Sequence, residues 1–246
     1  MLQAIDYACD GTRLTGWLAD GSGGRPAPGV LVAHEAPGIN PGIKARLRRL
    51  ADLGYVAFAS DMYGDSGMHG ESGFPVEEAR RRHEELMAAP GLMLRRARAA
   101  LDLLAAQPNV DGDRLAAIGY CQGGIVALEL ARAGAPIRCA AGFHPGLKRP
   151  AGSPDGPISA KVLMMIGNDD PVVPMEDRIA FAQSMDAAGA DWQLHVFGGV
   201  VHSFTSPEVD ELAIPGLAYD ACADRRSWAM MLALLEECFG TDGQTP

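Results

Sequence analysis

The chain has 246 residues, with 21 Lys and Arg against 31 Asp and Glu, a net charge of −10. An acidic chain repels phosphate backbones, which argues against nucleic acid as a partner, and 48% hydrophobic residues argue against disorder. No basic segment followed by an apolar run opens the chain, and no stretch approaches the ~18 apolar residues of a membrane span. The expectation is one domain over residues 1–246, cytoplasmic and not bound to membranes. Five cysteines stand far apart, at 9, 121, 139, 222 and 238, with no CxxC pair. That spacing suits neither a disulfide framework nor a zinc ribbon.

Gln3–Cys9 and Arg13–Leu18 alternate polar and apolar residues around Asp10-Gly11, which predicts an antiparallel hairpin at a sheet edge. Val30–Ala33, Tyr55–Ala59, Leu115–Ile118, Val162–Ile166 and Gln193–Phe197 read as short strands, the middle three as buried apolar runs like Val30–Ala33. Helical patterns lie between them. Ile43, Leu47, Leu50 and Gly54 share one face, as do Trp228, Leu232, Leu235 and Phe239. Pro90-Gly91 divides the helical stretch from Val76 to Gln107. Strands alternating with helices predict an α/β fold whose mostly parallel sheet, of about eight strands, is covered on both faces.

Ligand sites in such sheets lie beyond the carboxyl ends of the strands. There the chain carries HEAPG, GYCQGG, GNDDPVVP and GGVVHSF. Gly119-Tyr120-Cys121-Gln122-Gly123 fits a nucleophile elbow with cysteine in the serine position, a strand entering and the helix Ile125–Ala133 leaving. The glycines remove Cβ atoms that would clash at so sharp a turn, and the helix N-terminus favours a thiolate. The bland alternative is a buried cysteine in a glycine-rich turn, the role expected of Cys9, Cys139, Cys222 and Cys238. A thiol needs a base. His202 follows the last predicted strand, and the order nucleophile, acid, histidine calls for an acid between them. Asp169 and Asp170 both qualify; Asp170 is preferred because D-P-V-V-P restrains its loop.

The segments HEAPGIN, SDMYG, GYCQGG, GNDDPVVP and VHSF resemble the dienelactone hydrolase family of α/β-hydrolases, from the first strands to the last helix. The resemblance implies an α/β-hydrolase fold and a Cys121–Asp170–His202 triad. It gives Glu35 a role in holding the resting thiol, and makes the backbone N–H groups of Ala36 and Gln122 the oxyanion hole. Tyr63, Arg81 and Phe204 are expected to contact substrate. One departure stands out. Where the founding members place a substrate-gripping arginine, four residues after the histidine, this chain has Ser206. Arg80, Arg81 and Arg82 could supply another, although pairing with Glu77, Glu78 and Glu84 on an exposed helix face is the simpler reading.

The leading expectation is therefore a cysteine hydrolase of small-molecule esters or lactones, needing no cofactor or metal and preferring neutral aryl or alkyl esters. Phosphotriester hydrolysis by the same thiol is a second reading, and a carboxylated dienelactone substrate an alternative. A non-catalytic binding module is the rival of another class. A metallohydrolase built on His34, Glu35 and His202 lacks any paired ligand spacing.

Overall fold

In the computed structural model, residues 1–64 and 75–240 are described. Eight strands run β1 (Leu2–Cys9), β2 (Thr12–Asp20), β3 (Ala27–Ala33), β4 (Val56–Ser60), β5 (Val110–Tyr120), β6 (Cys139–Phe143), β7 (Lys161–Gly167) and β8 (Trp192–Phe197). The helices are α1 (Pro41–Asp52), α2 (Val76–Ala88), α3 (Leu92–Ala105), α4 (Gln122–Arg132), α5 (Met175–Ala187) and α6 (Ala221–Phe239). The strands form one sheet in the order β1-β2-β4-β3-β5-β6-β7-β8. β1 and β2 pair antiparallel, as does β2 with β4, and every pairing from β4 to β8 is parallel.

The apolar runs are uninterrupted because both faces are covered. Leu31, Phe58, Ala117 and Met164 face α3, α4 and α5. Their neighbours Val32, Ala59, Ile118 and Met165 face α1 and α6. Asp10 (φ 50°) and Gly11 (φ 76°) make the left-handed pair a tight hairpin requires, as the sequence predicts. Asn40 Oδ1 caps α1 by accepting from the Ile43 N–H at 2.9 Å. Gly54 lies past the end of that helix, at φ 93°, so it closes α1 rather than extending its buried face. α4 begins directly after Cys121, three residues earlier than the pattern indicates. Cys222 is exposed on the first turn of α6, against the expectation of packing. Cys9, Cys139 and Cys238 are buried.

The elbow depends on two close approaches. A Cβ on Gly119 would stand 1.9 Å from the Gly123 carbonyl oxygen, and one on Gly123 would stand 2.1 Å from that of Ala33. Both obstacles are backbone, so no side chain can move aside. Gly123→Ala should therefore force β3 away from α4. Overpacking of this kind costs about 3 kcal/mol, which for a chain this long is a Tm lower by about 6–12 °C in a thermal melt. A shift under about 2 °C would show that the two backbones are not so tightly apposed.

Candidate active site

Cys121 sits between β5 and α4 at φ 52° and ψ −118°, a conformation that costs a non-glycine residue about 1–3 kcal/mol. Its N–H donates to the Phe143 carbonyl at 2.9 Å, and its own carbonyl accepts from Gly124. The thiol is thereby held above the first turn of α4, where free N–H groups favour negative charge.

His202 reaches the thiol from the loop after β8, with Nε2 3.3 Å from Cys121 Sγ. Its backbone is fixed on both sides: its N–H donates to Gly216 at 3.0 Å, and its carbonyl accepts from Ala218 at 3.1 Å. His202 Nδ1–H donates to Asp170 Oδ2 at 2.7 Å. The other oxygen, Oδ1, accepts from the Val172 N–H at 2.8 Å, so the carboxylate is held in place. Asp169 is exposed, and its side chain accepts from Asn168 within its own loop. The loop turns around Arg178, whose guanidinium donates to the carbonyls of Val173 (3.0 Å) and Asn168 (2.8 Å). Burial disfavours a charged His202, but the negative charge at Cys121 and the Asp170 hydrogen bond outweigh it and push the imidazole up to about 10. A raised pKa means this group stabilises the fold fully below its ordinary value of 6.5. That contribution is lost as pH rises through about 10.

Glu35 lies beside this line of residues, but its bonds go elsewhere. Its Oε1 accepts from Arg46 Nη1 at 3.0 Å and from Ser206 Oγ at 2.8 Å. The hydrogen bond of Cys121 is to His202, so the resting contact between thiol and Glu35 that the resemblance implies is not the one formed here. Sequence reading missed Arg46. It stands in the buried stripe of α1, three residues after Ile43 and four before Leu50, and a cation in an apolar stripe was the available signal. Arg46 also donates to the carbonyl and hydroxyl of Thr205, at 2.8 and 2.9 Å, and lies 3.8 Å over the Tyr120 ring. One guanidinium thus joins the segments after β3 and β8 to the end of β5. His144 was missed too. It is fully buried, 5.2 Å edge-on from the His202 ring, with Nε2 2.8 Å from the Thr205 hydroxyl. Burial first, then the nearby His202 and Arg46 charges, hold it well below 6.5 and therefore neutral.

The expected substrate contacts divide. Tyr63 is at the site, its hydroxyl 2.9 Å from Gln122 Oε1 and 3.1 Å from the Ala36 carbonyl, one proton shared between two acceptors. His83, from α2, donates from Nδ1 to the same Gln122 oxygen at 3.0 Å. Phe204 is not at a reachable surface. It is 0% exposed, packed edge-on against His144 and Phe197, because its aromatic side chain completes the core under the His202 loop. Arg81 points to solvent and pairs with Glu78 and Glu85 on α2, so it does not line the site. Arg80 likewise pairs with Glu77 and Glu84. Arg82 turns inward, 5.6 Å from the Tyr63 ring, with Glu78 at 2.7 Å. Both ring nitrogens of His34 are engaged by backbone, and it does not converge with His202. His69 lies outside the described residues.

A family model described as the dienelactone hydrolase family matches residues 14–239. The chain belongs to this family. It is an α/β-fold hydrolase of esters or lactones. Among solved structures, it is similar to a dienelactone hydrolase-like promiscuous phosphotriesterase from metagenomic libraries, with 43% identity and a TM-score of 0.89 over 97% of this chain and 98% of that one. It is 26% identical to a carboxymethylenebutenolidase of Pseudomonas putida over 187 residues, 73% of this chain and 75% of the other. An esterase of Pyrobaculum calidifontis, 15% identical with a TM-score of 0.69, covers 98% of this chain and 86% of its own and shares the fold.

Removing Arg46 would leave the Glu35 carboxylate buried with one hydroxyl for company. Arg46→Met should cost about 3–5 kcal/mol, a Tm lower by about 6–20 °C, because breaking one side of a buried pair strands the other charge. Arg80→Met and Arg81→Met, at exposed pairs, should shift Tm by less than about 3 °C in the same melts.

Proposed function

We propose that the protein is a cysteine hydrolase in which Cys121 is the nucleophile, His202 the general acid and base, and Asp170 the residue that orients and stabilises the imidazolium. The observation that carries this reading is the unbroken line Asp170–His202–Cys121, at 2.7 and 3.3 Å, ending at the N-terminus of α4. The thiolate attacks the ester carbonyl. The developing oxyanion is met by the N–H groups of Ala36 and Gln122. His202 protonates the departing alkoxide, leaving a thioester on Cys121. Water then attacks this thioester as His202 takes its proton, and the carboxylic acid leaves with the thiolate restored.

The substrate class favoured is a neutral aryl or alkyl ester. The two arginines that turn inward around the site already have carboxylate partners, Arg46 with Glu35 and Arg82 with Glu78. Ser206 is committed to Glu35 as well. A substrate carboxylate would have to displace one of these pairs, whereas a neutral ester would not. Phosphotriester hydrolysis is the second reading, supported by the 43% identical phosphotriesterase. Attack of the same thiolate at phosphorus would expel the alcohol and leave an S-phosphoryl cysteine for water to cleave.

Cys121→Ala should lower ester hydrolysis by about 10⁴-fold or more with the circular-dichroism spectrum unchanged. Retention of wild-type kcat would end the nucleophile assignment. Electrospray mass spectra of enzyme quenched during turnover should show the acyl group on Cys121. Asp170→Asn should impair kcat far more than Asp169→Asn, since only Asp170 touches the imidazole; equal losses would refute the choice.

Acylation requires a protonated His202, so kcat/KM should fall as pH rises through about 10. Asp170→Asn should bring that alkaline midpoint down, because it removes one cause of the raised pKa. A neutral aryl ester should exceed a carboxylated dienelactone in kcat/KM by about 30-fold or more, the equivalent of ~2 kcal/mol. The reverse preference would place a free cation in the pocket.

A further inference from the structure

We propose that His34 is the positioning residue of the oxyanion hole, acting by clamping the Glu35–Ala36 peptide so that the Ala36 N–H faces the reacting carbonyl. The inference rests on the reading of Ala36 as an oxyanion donor and names what aims it.

His34 directly follows β3 and is 0% exposed. Its Nδ1 lies 2.7 Å from the Glu35 carbonyl oxygen, and its Nε2 lies 3.1 Å from the Met62 backbone nitrogen. A carbonyl oxygen can only accept and a backbone N–H can only donate. Together they select one form of the ring: neutral, with the proton on Nδ1. Burial lowers the pKa of this imidazole and keeps it in that form.

The consequence follows from the planarity of the peptide. In a trans peptide the C=O and the following N–H point in opposite directions. The Glu35 carbonyl is drawn inward by two donors, His34 Nδ1–H and the Gly38 N–H at 2.9 Å. The N–H of Ala36 must then point outward, and Ala36 is partly exposed while His34 and Glu35 are buried. Among the described residues, no acceptor is bonded to the Ala36 N–H. The next carbonyl, that of Ala36, lies 3.1 Å from the Tyr63 hydroxyl, and Pro37 contributes no N–H to compete. His34 and Tyr63 therefore hold the loop after β3 against the loop after β4. The donor is fixed before substrate arrives, and a preorganised donor needs no reorientation as charge develops.

His34→Leu removes both ring bonds; His34→Gln retains one donor and one acceptor on a neutral side chain. Loss of a whole oxyanion donor costs about 10²–10³ in kcat. His34→Leu should lose about 10²-fold in kcat with KM within about 3-fold, and His34→Gln should recover to within about 5-fold of wild type. Alkylation of Cys121 by iodoacetamide develops no oxyanion, so its rate should stay within about 3-fold in both variants. Wild-type kcat in His34→Leu would overturn the proposal. So would a Gln variant no better than Leu, or alkylation falling in parallel with hydrolysis, which would signal a general loss of structure. If the Leu variant does not fold, His34→Asn takes its place in the same comparison. The underlying reading fails separately: wild-type hydrolysis that survives complete alkylation of Cys121 would remove the nucleophile itself.

Discussion

The close approach of three backbones at the centre of the sheet is the constraint on which the site depends. β3, the end of β5 and the first turn of α4 come together so tightly that Gly119 and Gly123 have no room for a Cβ. This is what bends the chain at Cys121 into a positive φ and leaves its sulfur at the head of a helix. The local cost, about 1–3 kcal/mol, is offset by the packing of both sheet faces. Gly167 repeats the device two strands away, where a Cβ would meet the Val200 carbonyl at 2.1 Å. There it lets the Asp170 loop approach the His202 loop closely enough for one short hydrogen bond.

Charge is organised in two layers around that geometry. The inner layer holds Asp170, His202 and Cys121, with the imidazole shifted toward its cationic form. The layer behind holds Glu35, Arg46, Thr205, Ser206 and neutral His144. Arg46, from α1, is the cation paired with Glu35, while Ser206 adds a hydroxyl. The Glu35 carboxyl and the Arg46 guanidinium are thereby matched to each other inside the protein. The loops carrying Glu35 and Thr205 and the end of β5 at Tyr120 are cross-braced by the same guanidinium, so their positions are interdependent.

Much of this was legible in the residues themselves. Apolar runs without alternation specify strands buried on both faces, and Asp10-Gly11 specifies the hairpin, because each is a local consequence of burial or of backbone sterics. The elbow was legible for the same reason: G-x-C-x-G between a strand and a helix leaves the chain few other conformations. The order of Cys121, Asp170 and His202 at strand ends was readable because a parallel sheet brings all its carboxyl ends to one edge.

What only the tertiary structure decided were contacts between segments far apart in sequence. Asp170 differs from Asp169 by which way each side chain turns in one loop, and Arg178 on the following helix holds that loop. The position of Arg46 in the apolar stripe of α1 hints at burial, but its partner Thr205, 159 positions away, is set only by the packing of α1. Phe204 and Arg81 changed places with Arg46 and His83 in importance, since burial depends on what packs opposite and not on residue type. His34 carried no local sign of the role proposed for it. Pattern records which face of an element is apolar; it does not record which distant carbonyl an imidazole will meet, and the chemistry of this site is decided by such meetings.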